Sequence, residues 1–243
     1  MSKYFFDTEF LEGKQDKRIL GFKYGETEPT IDLISIGIVT ESSREYYAIS
    51  KEFNLEEAWN RYDEKYKEGG LASDPHTKYK DYWIRENVLK SVFQELKQYE
   101  LDQYQTQIRI IGHGLYKNLD FNYQNFKKLI NKYGKTNKQI AAEIIDFCRP
   151  ISKKAKAMGV DFVIEPVDFP EFYAYYGAYD WVVFCWIFGK MINRPKGFPM
   201  FVNDLKQMQN DLARRRMVGN QTFEDQLRTL KEFGPKQINA HNA

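Results

Sequence analysis

Cysteine is nearly missing: Cys148 and Cys185 are the only two in 243 residues. Both lie inside apolar segments, IIDFCRP and VVFCWIF, which suits buried thiols in a reducing compartment and excludes a disulfide scaffold. An excess of one charge is missing too. The 36 Lys plus Arg against 34 Asp plus Glu leave +2, so bulk electrostatics does not announce a polyanion or membrane partner, and any such site must be local. Local candidates are Lys127, Lys128 and Lys132, then Lys153, Lys154 and Lys156, then Arg214, Arg215 and Arg216, each more readily read as a solvated helix face than as a binding site. Long apolar runs are lacking: no segment approaches the span of a membrane helix, and the opening MSKYFFDTEF carries acids where a signal peptide needs apolar residues. A cytoplasmic protein without a membrane partner is expected.

What is abundant is aromatic. The chain has 18 Phe, 17 Tyr and 4 Trp, and 42% of its residues are apolar, which excludes the disordered and collagen-like classes. Its length allows one generous domain with a real core.

The β-prone runs come early: Lys3 to Phe6, Thr30 to Thr40 (TIDLISIGIVT) and Glu45 to Ser50 (EYYAIS), the last two joined by a connection of hairpin length. Glu12 to Pro29 reads as a polar loop between the first two. Helical periodicity starts at Leu55 behind Asn54 as N-cap, and returns from about Trp83 to Tyr99, Asp120 to Tyr133 and Thr136 to Met158. Ile108, Ile110 and Ile111 read as a short strand. Glu171 to Tyr176 (EFYAYY) is an aromatic strand closed by Gly177, and Ala178 to Met191 is a helix apolar nearly all round. Amphipathic helices near Val202 to Arg214 and Thr222 to Glu232 follow. Strands first, then helices with strands between them, predict an α/β fold with a mixed sheet flanked by helices.

Asp7 and Glu9 directly follow the apolar run Tyr4 to Phe6. On a strand, residues i and i+2 face the same way, so the two carboxylates converge and repel unless a cation sits between them. Acid-paired oxygen sites favour Mg²⁺ or Mn²⁺, although a strand end turning into solvent also carries acids. Asp180 stands on the apolar helix GAYDWVVFCWIFGKM, where a carboxylate needs a partner, a metal or the amides of a first helical turn. Phe10, beside the first pair, is placed either to stack on a nucleobase or to pack in the core.

DTEF at 7–10, TIDLISIG at 30–37, YYGAYDW at 175–181 and His241 in the closing INAHNA together resemble the DEDDh 3′-5′ exonuclease superfamily. Within it they are similar to ribonuclease T-like small bacterial and phage exoribonucleases and to a mycobacterial polyadenylate-specific one. The resemblance implies a ribonuclease H-like fold over 1–243, with 91–136 as a helical insertion. It implies four acids holding two Mg²⁺ or Mn²⁺ ions and a histidine as general base. Asp7 and Glu9 match the first motif, Asp180 the second and His241 the histidine of the third. The family's last acid would lie five residues past His241, on a closing helix that the 243 residues do not include, and two ions are expected when that acid is present. IIGHGLYKNLDF at 110–121 also resembles the second motif, with Asp120 as its acid. Asp180 is preferred for its setting of aromatic strand, glycine and apolar helix. The activity implied is 3′-5′ hydrolysis of single-stranded RNA to 5′-nucleoside monophosphates by two metal ions. The alternatives are a DNA exonuclease of the same fold and a catalytically silent nucleic-acid-binding module.

Overall fold

The computed structural model describes residues 2–20, 22–66, 78–111, 119–149, 153–157, 160–164 and 169–216. In chain order these form β1 (Lys3–Gly13), β2 (Asp16–Ile19), β3 (Phe22–Glu26), β4 (Thr30–Thr40), β5 (Glu45–Ile49) and α1 (Leu55–Asn60). Then come β6 (Asp63–Tyr66), β7 (Lys78–Asp81) and a π-helical turn (Ile84–Leu89) that runs into α2 (Lys90–Ile111). They are followed by α3 (Tyr123–Tyr133), α4 (Asn137–Phe147), β8 (Lys153–Ala157), β9 (Val160–Ile164), β10 (Glu171–Ala174), α5 (Ala178–Trp186), β11 (Asn203–Asp204) and α6 (Leu205–Arg216). One five-stranded sheet has the order β11-β10-β1-β4-β5, and β2/β3, β6/β7 and β8/β9 are two-stranded ribbons. The expected α/β class holds, with a mixed sheet consistent with a ribonuclease H-like fold. Among the described residues no helix is long and apolar enough to cross a membrane.

The described residues within 1–8, 35–48 and 136–238 cluster as one compact unit, and those within 9–34 and 49–135 as a second. The first unit is organised by parallel pairing. Lys3, Tyr4 and Phe5 of β1 lie opposite Glu171, Phe172 and Tyr173 of β10, and Tyr173 and Ala174 lie opposite Asn203 and Asp204 of β11. Tyr4, Phe5 and Phe6 are all buried, as a central strand covered on both faces requires. Phe172 lies 5.6 Å from the Tyr4 ring, 4.9 Å from Phe184 and 5.3 Å from Phe198. Trp181 stacks on Phe184 at 5.1 Å. Helix α4 opens with a capping box, Gln139 N donating to Thr136 Oγ1 at 3.2 Å and Thr136 N donating to Gln139 Oε1 at 2.9 Å. Such reciprocal pairing satisfies two amides that the helix start leaves open.

The second unit has its own aromatic core. Phe93 and Phe126 are fully buried and meet at 6.0 Å, with Phe121 5.3 Å from Phe93 and Trp59 4.9 Å from Phe121. Asn54 caps α1 by accepting from Glu57 N at 3.1 Å, as its sequence position predicts, and Asn122 caps α3 by accepting from Asn125 N at 2.9 Å. The stretch 91–136 is helical over most of α2 and all of α3. Its lysines are partly engaged: Lys132 pairs with Glu100 at 2.5 Å, and Lys127 lies over the Tyr123 ring.

Three local expectations give way. The polar loop 12–29 contains the β2/β3 ribbon, whose Ile19, Leu20, Phe22 and Tyr24 are exposed, so no buried stripe marked it in the sequence. Ile108 to Ile111 belong to α2, which continues through them instead of breaking into a strand. Helix α4 stops at Phe147, and β8 occupies part of the stretch up to Met158 where the periodicity predicts its continuation. Pro150 was the missed signal, because the residue before a proline is pushed out of the helical region. The helix expected at Thr222 to Glu232 lies outside the described residues.

Phe172→Ala should remove the hub of the first unit's core and cost about 3–5 kcal/mol. Urea unfolding of the variant against the parent measures it, and a loss below about 1 kcal/mol would show that the cluster collapses around the gap.

Candidate functional site

Parallel strands that end side by side put whatever follows them at one edge, and ligands of α/β sheets gather outside those carboxyl ends. In the first unit, three acids come from β1, from the helix that follows its parallel neighbour β10, and from the end of β11. Asp7 lies on β1, two residues past the last position paired with β10. Asp180 lies in the first turn of α5, which the turn 175–177 connects to the end of β10. Asp204 is the last residue of β11 and precedes α6.

Asp180 is buried, at 6% exposure. Its Oδ1 accepts from Thr8 N at 3.0 Å and from Thr8 Oγ1 at 2.6 Å. Burial raises its carboxyl above the ordinary range, the Thr8 donors oppose that rise, and the charge of Asp204 adds to it. Asp7 reaches solvent, yet the protein closing round its carboxyl strips enough hydration to raise it. The charge of Asp180 raises it further, to about 6, against a smaller opposing pull from the Thr8 amide. Two carboxylates that repel one another form the kind of oxygen-donor pair that hard divalent ions bind. The pair fits such an ion chemically. Among the described residues, no three His, Cys, Asp or Glu side chains come close enough together to hold one.

Asp204 was missed by the sequence reading, and the structure gives it a different task. Its Oδ1 accepts from Lys206 N at 2.8 Å and Gln207 N at 3.0 Å, capping α6, and its Oδ2 accepts from Gly177 N at 3.1 Å. The signal was present: Asp before the helical run LKQMQ is an N-cap pattern.

Glu9 and Phe10 belong to the second unit. There they line a cleft of about 400 Å³ together with Glu12, Arg61, Tyr62 and Trp83, among others. Arg61 holds one wall, donating to the carbonyls of Glu12 and Lys14 and pairing with Glu57 at 3.1 Å. Asp7 and Glu9 both lie within β1. Asp120, the alternative acid, is exposed beside the start of α3, and its backbone carbonyl accepts from Asn125 Nδ2 at 3.0 Å. His241 lies outside the described residues, as do His76 and His113.

The raised Asp7 carboxyl has a consequence for stability. Between about pH 4 and pH 6 the unfolded chain gives up this proton while the folded chain keeps it, so folding loses stability as pH rises through that window. Asp7→Asn removes the penalty. Discounted for the water that reaches the side chain, the gain is on the order of 1 kcal/mol, or about 2–4 °C in Tm, at pH 7.5 in metal-free buffer. It should vanish at pH 4. A Tm difference that stays constant across this range in thermal scans would mean that the carboxyl titrates normally.

No family model matches the chain. It is 26% identical over 215 residues to proteins named 3′-5′ exoribonuclease from two Mycobacterium tuberculosis strains, CDC 1551 / Oshkosh and ATCC 25618 / H37Rv. Each alignment spans 88% of this chain and 78% of the relative.

Proposed function

We propose that the protein is a metal-dependent 3′-5′ exoribonuclease that removes 5′-nucleoside monophosphates from the 3′ end of single-stranded RNA. The observation that carries the reading is the seating of Asp180 on Thr8 beside Asp7, which leaves two mutually repelling carboxylates at the sheet edge. The similarity to proteins named exoribonucleases, extending over 88% of the chain, supports the same reaction class.

On this reading Asp7 and Asp180 hold Mg²⁺ or Mn²⁺, and the DEDDh resemblance adds Glu9 as a third ligand, His241 as general base and a further acid. Bound divalent ions supply a water acidic enough to attack the phosphodiester and a counter-charge for the leaving 3′ oxygen. The chain's own contribution is orientation. Thr8 fixes the Asp180 carboxylate with two donors, so its direction is set before any ligand arrives. The apolar body of α5 keeps water from one side of it. Phe10 in its cleft offers a ring face to a terminal base, a contact that does not depend on base identity. His241 would take the proton of the attacking water, and the 3′ oxygen leaves without a covalent enzyme intermediate.

The test is incubation of labelled single-stranded RNA and DNA with the protein in Mg²⁺, Mn²⁺ or EDTA. Stepwise shortening of RNA from its 3′ end that EDTA abolishes is expected. Equal or faster shortening of DNA would make it a DNA exonuclease, and binding without shortening would make it a silent module. Asp7→Asn, Glu9→Gln and Asp180→Asn should each lower the rate about a thousandfold or more while leaving the circular dichroism spectrum unchanged. Full loss in Asp120→Asn with near-normal Asp180→Asn would move the second acid to Asp120.

A further inference from the structure

We propose that Tyr175 and Tyr176 form a rigid platform on which bases of the single strand stack beside Asp180. The inference rests on the nuclease reading and deepens it by naming two substrate-binding residues. Both tyrosines belong to the turn between β10 and α5 and are exposed, at 48% and 62%. Their rings meet edge to face, with centroids 4.8 Å apart at 75°.

The backbone beneath them is unusual. Tyr176 has φ +57°, left-handed territory that a bulky side chain rarely enters. Strain of this kind persists where the surroundings enforce it, and it gathers at functional sites. The neighbouring glycine does not take the conformation: Gly177 sits at φ −66° and is needed for space instead. A Cβ there would lie 2.7 Å from the Ala174 Cβ and 3.3 Å from Val202 Cγ1. Gly177 N is held by Asp204 at 3.1 Å, and Ala178 N by the Tyr176 carbonyl at 2.8 Å. The turn is therefore clamped immediately after the rings. The strain does not serve to bury the rings, since both side chains remain exposed.

An aromatic surface held out in this way, on the turn that leads into α5 and its Asp180, suits a nucleobase. Ring faces accept any base, carry no charge that would repel phosphate, and lose little entropy when the turn beneath is already fixed.

The experiment is fluorescence anisotropy of a 5′-labelled oligoribonucleotide on the full-length Asp7→Asn protein, with Tyr175→Ala or Tyr176→Gly added. Each addition should raise Kd about tenfold. The abasic version of the same oligonucleotide should bind parent and variants alike. Tyr176→Gly should leave Tm equal or higher, because glycine adopts the left-handed conformation without strain. Kd values within twofold of the parent, while the native protein still shortens RNA, would overturn the platform and leave the nuclease reading standing. A Tyr-dependent dimer in sedimentation with unchanged Kd would assign the rings to a protein contact and equally overturn it. A fall in Tm for Tyr176→Gly would mark a structural role. A native protein that neither shortens nor binds the strand would remove the nuclease reading itself.

Discussion

The first unit depends on one buried carboxylate. A charge on a helix as apolar as AYDWVVFCW costs several kcal/mol unless donors meet it, and Thr8 supplies both its amide and its hydroxyl to Asp180 Oδ1. The two residues are 172 positions apart. That contact requires β10 to run parallel beside β1, and it requires Gly177 to let the turn pass close to Ala174 and Val202. The sheet register, the glycine and the helix start are thus parts of one arrangement whose outcome is a carboxylate of fixed direction.

Packing makes that arrangement stiff. Trp181, Val183, Phe184 and Cys185 of α5 are buried beneath the helix, and Phe6 approaches Phe184 at 5.2 Å and Trp181 at 6.3 Å. The residues on either side of the Thr8–Asp180 contact are therefore locked by aromatic contacts of their own, which limits movement of either partner. The cysteines share in this packing and not in the chemistry. Burial pushes the Cys148 thiol up to about 12 and raises Cys185 as well, so neither offers a thiolate near neutral pH.

How legible the fold was depended on whether burial left a mark. Thr30 to Thr40 was readable to its end residues because β4 is buried almost continuously, and a run of β-branched residues flanked by polar ones suits little besides a strand covered on both faces. Asn54 was readable because cap chemistry is local. The β2/β3 ribbon left no mark, since its apolar residues face solvent and its register is set by neighbouring backbone. At the site, Asp7 and Asp180 stood out as acids in apolar company. Asp204 did not, because a helix cap looks the same in sequence whether or not it also anchors a distant turn. The Tyr176 backbone was equally hidden: YYG suggests that the glycine takes the left-handed position, whereas contact with Ala174 and Val202 reserves that glycine for space.

The three acids of the first unit differ in how far the protein has already satisfied them, and the difference orders their roles. Asp204 accepts three backbone amides, so its charge is met by helix and turn. Asp180 accepts two donors on one oxygen and is held in place at some electrostatic cost. Asp7 has the least compensation, and its carboxyl is the one lifted to about 6. Near neutral pH the folded chain thus keeps an ionised Asp7 against both its desolvation and its neighbour's charge. Packing elsewhere sustains that cost, and any cation that neutralises the pair returns it as binding energy. A substrate phosphate would be repelled by the uncompensated pair. On the proposed reading, metal binding and RNA binding are therefore coupled in sign: a cation held by the carboxylates is also what makes the edge tolerable to a polyanion, while the uncharged tyrosines of the turn 175–177 can engage bases without adding to the repulsion.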